Sequence, residues 1–199
     1  YEEKNRGLDS DCIRVFEKLF AELYKNHNYG LQTTIGTIED LKNPSLIEIR
    51  KYFNKYYVPN NMGIIMSGDF NPDAMIKKVD ATFAYMQNKS FEKYTFKPEQ
   101  PITSPIETEV VGPDAENVTI GFRLPGNKSK DVLLADLVGQ ILTNGKAAVT
   151  DLNLVKKQKL LGASASAFTL IDYGVLFMQG RPTLGQASLY QGADLSPKE

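Results

Sequence analysis

Tyr56-Tyr57-Val58-Pro59-Asn60-Asn61-Met62-Gly63-Ile64-Ile65-Met66-Ser67-Gly68-Asp69-Phe70 is the run on which the fold turns. To its left, Leu46, Ile49, Phe53 and Tyr56 recur at helical spacing and give a helix one apolar face. Ser45 is placed to cap that helix, and Glu48 three residues on completes a capping box. Pro59 stops it, because the residue before a proline is pushed out of the right-handed helical region. Met62 to Met66 is short, apolar and bounded by turn residues, as a buried strand is. Asn71 and Pro72 read as N-cap and first residue of the next helix, which repeats Met75, Ile76, Val79, Phe83 and Met86 at helical period. A helix, a buried strand and a second helix with marked boundaries are expected to fold as part of a core.

Toward the amino terminus, Asp9 or Ser10 can cap a helix whose apolar face is Ile13, Phe16, Phe20 and Leu23. Toward the carboxyl terminus, residues 89–105 carry Lys and Glu with Pro98, Pro101 and Pro105 and no apolar period, which predicts a linker. Ile106 to Val111 and the alternating Val118, Ile120, Phe122 predict a strand pair joined through Gly112-Pro113-Asp114. Ser129 or Asp131 opens a helix with Leu134, Leu137, Val138, Ile141 and Leu142 on one face, ended by Asn144-Gly145. A shorter helix is expected around 149–159. A hairpin follows, from Gly162–Thr169 to Val175–Met178 through a turn at Ile171-Asp172-Tyr173-Gly174. Beyond Gly180 the chain is rich in Gly, Ser and Gln, and fraying is expected there.

Composition narrows the classes. Hydrophobic residues make up 42% and charged residues 24%, ordinary values for a globular protein. A formal net charge of −1 with scattered Lys and Arg argues against nucleic acid as a partner. No apolar run approaches the ~20 residues that span a bilayer. The chain holds one cysteine, Cys12, which excludes an internal disulfide and reads as a small core or boundary residue of a helix start. Its one histidine, His27, excludes any site within these residues that needs two imidazoles. No signal-peptide pattern is read, and the chain opens on Tyr1 rather than Met, so secretion is left open.

His27-Asn28-Tyr29-Gly30, then Ile35-Gly36-Thr37-Ile38-Glu39-Asp40-Leu41, then the Tyr56–Phe70 run occur in an order and spacing that resembles the pitrilysin/insulinase group of zinc peptidases, which includes the mitochondrial processing peptidases. The resemblance extends to about Gln186. It implies an α+β fold, with processing-peptidase-like repeats of mainly antiparallel sheet covered by helices. Residues 1–88 would be the C-terminal part of one repeat and 106–199 the N-terminal part of the next. It also implies that the parent protein is a metallopeptidase, a hydrolase cleaving peptides or unfolded polypeptides, with the remaining repeats or a partner subunit completing it. A bacterial periplasm or cell envelope would suit such a protein. Two other readings stand beside this one: a non-catalytic scaffold subunit of the same fold, and an unrelated α+β binding domain.

The group's active site resembles the inverted motif His-x-x-Glu-His, with a distant glutamate as third zinc ligand and a metal-activated water as nucleophile. By the match to Tyr1-Glu2-Glu3-Lys4-Asn5-Arg6, that ligand falls on Glu2 rather than Glu3. Read from the residues alone, Glu2 and Glu3 are a solvated acidic pair at a helix start. The histidine motif is absent, so no catalytic residue is assigned and no zinc is expected on this chain by itself. His27 reads as a turn residue whose ring caps or packs, and Asp69 as the close of a strand-to-helix turn. Arg123 reads as an edge-strand salt bridge in preference to a substrate-facing cation. Nucleotide-loop chemistry and Ser-His-Asp or Cys-His catalysis have no support in these residues.

Overall fold

Helical caps written into the sequence set the framework. The computed structural model describes residues 1–182, in helices α1 (Glu2–Leu8), α2 (Asp11–Leu23), α3 (Asn28–Leu31), α4 (Ile38–Lys42), α5 (Leu46–Tyr56), α6 (Pro72–Phe83) and α7 (Lys130–Thr143) and strands β1 (Val118–Pro125), β2 (Leu160–Thr169) and β3 (Tyr173–Pro182). The architecture is α+β. Ser45, Asn71 and Ser129 each accept a backbone N–H as N-caps, from Glu48, Ala74 and Asp131. A reciprocal capping box forms one helix earlier, between Thr37 and Asp40. Glu48 instead pairs with Lys51 at 2.7 Å. The fraying expected beyond Gly180 falls mostly outside the described residues; β3 itself runs on to Pro182.

The chain divides into two compact units, residues 37–96 and residues 1–36 with those from 97 onward. In the second of these the sheet order is β1-β3-β2, all antiparallel. The expected hairpin is present: Ala165 opposes Met178 and Thr169 opposes Gly174. The expected pairing of Ile106–Val111 with β1 is not. Residues 106–111 form no strand, and β1 lies against β3 instead, Phe122 opposite Leu176 and Val118 opposite Gly180. A longer, in-register ladder outcompetes the short local hairpin.

α2 covers one face of this sheet through Phe20, Leu23 and Tyr24, which cluster with Val175. Phe16 and Phe20 both meet Phe168 edge-on, with ring centroids at 5.8 and 6.2 Å. α7 packs on β2, but not by the expected face. Its buried residues are Val132, Ala135 and Gly139, whereas Leu133, Leu134, Leu137 and Ile141 are exposed. Close approach explains the reversal. A Cβ at Gly139 would lie 3.4 Å from the Ala165 carbonyl oxygen, and Thr143 Oγ1 donates to that same oxygen at 3.0 Å. A leucine stripe could not come so near the backbone. The helix expected around 149–159 is present but shorter: residues 149–155 are helical, and Asp151–Val155 form a π turn.

In the unit 37–96 the expected core is missing. Val58 is the one buried residue there. The α5 face is open, with Leu46 70% exposed. Met62–Ser67 forms no strand; Met62 is extended, at φ −123 and ψ 151, and Ile65 is 98% exposed. A strand exists only when a neighbour takes its backbone groups, and the described residues supply none. Each large apolar side chain left in water forgoes about 1.5–3 kcal/mol.

Candidate functional site

Glu2 and Glu3 lie in the first turn of α1, where the helix dipole favours carboxylates. Both side chains are exposed and make no hydrogen bond or ion pair among the described residues. The helix itself is fastened: Lys4 Nζ meets Glu17 Oε1 of α2 at 2.8 Å. Glu2 therefore sits as an uncommitted carboxylate on an anchored helix. Among the described residues no group of three His, Cys, Asp or Glu side chains could hold a metal ion. The residues present do not make a zinc site; Glu2 fits as one donor of a tetrahedral set that wants more.

His27 is only 1% exposed and has a different task. It caps α3, its Nδ1 accepting the Tyr29 N–H at 3.1 Å. A ring that accepts at Nδ1 carries its proton on Nε2, which lies 3.4 Å from Asp172 Oδ2. Tyr29 and Tyr173 enclose the ring, with centroids at 4.1 and 5.4 Å. The capping role expected from sequence is the one found. Gly30 follows because a side chain there would strike the carbonyl oxygens of Phe20 and Tyr24.

Three residues that sequence reasoning passed over complete this cluster: Glu99, Asp172 and Tyr173. Glu99 Oε1 accepts from the backbone N–H groups of Asn26 and His27 at 2.7 and 2.8 Å, and Oε2 from that of Lys25 at 3.0 Å. Three successive amides thus grip one carboxylate. The only signal in the sequence was an acid between Pro98 and Pro101, where apolar periodicity is silent. The Glu99 N–H in turn donates to the Tyr173 hydroxyl at 3.2 Å.

Among the described residues Arg123 does not form the expected salt bridge. Its Nε donates to the Leu23 carbonyl at 2.9 Å and one terminal nitrogen to the Gln100 carbonyl at 2.7 Å. The guanidinium closes the C-terminal end of α2, where unpaired carbonyls and the negative pole lie. It also stands 5.8 Å over the Tyr24 ring. The Tyr24 hydroxyl donates to the Gly174 carbonyl at 2.5 Å. Burial pushes that phenol's pKa up, against the opposing pull of Arg123. On the exposed side of α2, hydrogen bonds from Lys25 and Lys18 hold the Glu22 carboxyl below the usual range.

The remaining candidates are plain. Asp69 sits in a bend before Asn71, consistent with closing the turn into α6. Cys12 is exposed rather than a core residue, because Asp11 takes the buried position beside it and accepts the Asp114 N–H at 2.8 Å. A polar groove between α7 and β2, lined by Asp136, Gln140, Thr143, Asn144 and Ser166, holds a single carboxylate. No helix among the described residues is long and apolar enough to cross a membrane.

Comparison with known proteins gives this arrangement a context. A family model described as the peptidase M16 inactive domain matches residues 45–184. A zinc protease, PqqE, of Helicobacter pylori is 29% identical over 171 residues, 83% of this chain and 38% of its own length. A solved protease from Helicobacter pylori superposes with a TM-score of 0.70 at 25% identity, over 92% of this chain and 45% of its own. Pitrilysin shares the fold at a TM-score of 0.66 and 22% identity, over 92% of this chain and 20% of its own. The chain thus spans less than half the length of each of these relatives.

Proposed function

This chain belongs to the M16 peptidase family, and we propose that it is part of a zinc-dependent metalloendopeptidase acting on peptides or unfolded polypeptides. Residues 1–88 would close one α+β repeat, residues 89–105 link, and residues 106–199 open the next. The observation that most supports this is the similarity over most of the chain to a protein named as a zinc protease. Glu2 would be the third metal ligand, presented from the first turn of α1 with its carboxylate uncommitted. The other donors would come from the rest of the parent protein, since these residues lack them. The metal's chemistry, a water made nucleophilic near neutral pH, therefore belongs to the assembled protein. This chain would contribute the carboxylate, the helix that holds it, the wall of the first repeat and part of the second.

The test is Glu2→Gln in the full-length protein. Even outer-shell partners of a metal cost roughly 10–100-fold when removed. A direct ligand should lower zinc affinity and turnover of an unstructured peptide by at least ~100-fold. Wild-type zinc content and turnover in the variant would overturn the assignment. A non-catalytic scaffold is the second reading, favoured by the description of the matched family domain as inactive. Reading the polypeptide upstream of Tyr1 separates the two: His-x-x-Glu-His is either there or not.

A further inference from the structure

We propose that Lys4 and Glu17 are a positioning pair that sets the direction in which α1 presents the Glu2 carboxylate. Little else fastens this helix. It has seven residues, none of them buried, and no side chain caps its N-terminus. A helix so short is marginal in water unless tertiary contacts hold it. Leu8 is its only large apolar side chain, and that side chain is exposed. Lys4 is different: its side chain is 12% exposed, and its ammonium meets Glu17 Oε1 at 2.8 Å. Among the described residues no other ion pair joins α1 to α2. Those of Arg14 with Asp11 and of Lys18 with Glu22 stay within α2, and Lys25 reaches back to Glu22 from just beyond it.

Glu17 offers a fixed point, because α2 is seated through Phe20, Leu23 and Tyr24 against Val175 of β3. Lys4 follows Glu2 by two residues, about 200° around a helix of 3.6 residues per turn, so the two side chains leave α1 on opposite sides. With Lys4 turned onto α2, Glu2 points away from it, in agreement with its exposure. The hydrogen bonds inside α1 set its shape, and the ion pair sets its rotation against α2. A metal ligand has to be held to within about 0.5 Å, so that rotation matters. Lys4 would touch no metal itself and would act through Glu2. The inference rests on the reading of Glu2 as a metal ligand.

The test uses the full-length protein. Zinc affinity, read by competition with a chelating indicator, should fall ~10-fold in Lys4→Met, the scale on which groups that orient a metal ligand act. Lys4→Arg keeps the cation and should stay within ~3-fold of wild type. Adding Glu17→Met to Lys4→Met should weaken zinc no further, because a single interaction is lost only once. A second reading needs no metal. In the zinc-stripped protein the amides of residues 5–8 should exchange ~10-fold faster in Lys4→Met, while those of residues 17–23 keep their wild-type rates. Wild-type zinc affinity in Lys4→Met beside a loss in Glu2→Gln overturns this inference and leaves the ligand reading standing; wild-type affinity in both variants overturns both. Faster exchange throughout α2 would mean a general loosening of the fold and would also overturn the positioning role.

Discussion

Removing the Glu99 carboxylate should loosen the α2–α3 turn specifically. In Glu99→Ala, the N–H groups of Lys25, Asn26 and His27 lose their acceptor together. The Lys25 contact is at the surface, so that amide recovers a water. Those of Asn26 and His27 are partly buried, at 2.7 and 2.8 Å from a single oxygen, and rehydrate less easily. Hydrogen bonds to charged groups contribute about 1.5–3 kcal/mol, and a stranded buried donor costs about 1–3. With the Lys25 amide discounted, a net loss of about 2 kcal/mol is expected, equivalent to roughly 30-fold in a local opening equilibrium. Native-state hydrogen exchange reads this directly: the Asn26 and His27 amides should speed up ~30-fold, and that of Lys25 less. Glu99→Gln keeps an acceptor oxygen and should fall between. Exchange at Asn26 and His27 within ~3-fold of wild type would show that the carboxylate does not hold the turn.

Other outcomes follow from the same cluster. Gly30→Ala places a methyl against the carbonyl oxygens of Phe20 and Tyr24, backbone that cannot step aside. It should cost at least ~1–3 kcal/mol, visible as a lower urea midpoint, and an unchanged midpoint would contradict the close approach. The Tyr24 phenol has its pKa raised by burial, so the folded state keeps the proton that the unfolded chain releases near pH ~10. That contribution is fully present below about pH 10 and is lost as pH rises through the folded-state value. Tyr24→Phe should flatten the alkaline loss of stability. At neutral pH it should cost ~1 kcal/mol, because the Gly174 carbonyl loses its donor. An alkaline slope equal to wild type would refute the assignment.

Local chemistry was legible in the chain by itself. Ser45, Asn71 and Ser129 cap helices, the β2–β3 hairpin forms and His27 ends up in a capped turn, because each depends on neighbours a few residues away in sequence. The order of the motifs carried the family. The three-dimensional structure decided what depends on distant partners: that β1 lies beside β3 and not beside residues 106–111, that α7 turns its small residues inward, and that Arg123 caps carbonyls instead of pairing with an acid. It also joined Glu99 to a turn more than seventy residues earlier, which no periodicity encodes. Hydrophobic spacing specifies that a face must be covered without specifying by what. The open faces of α5 and Met62–Ser67 show that difference, since their pattern is complete in the sequence while their cover is not among the described residues.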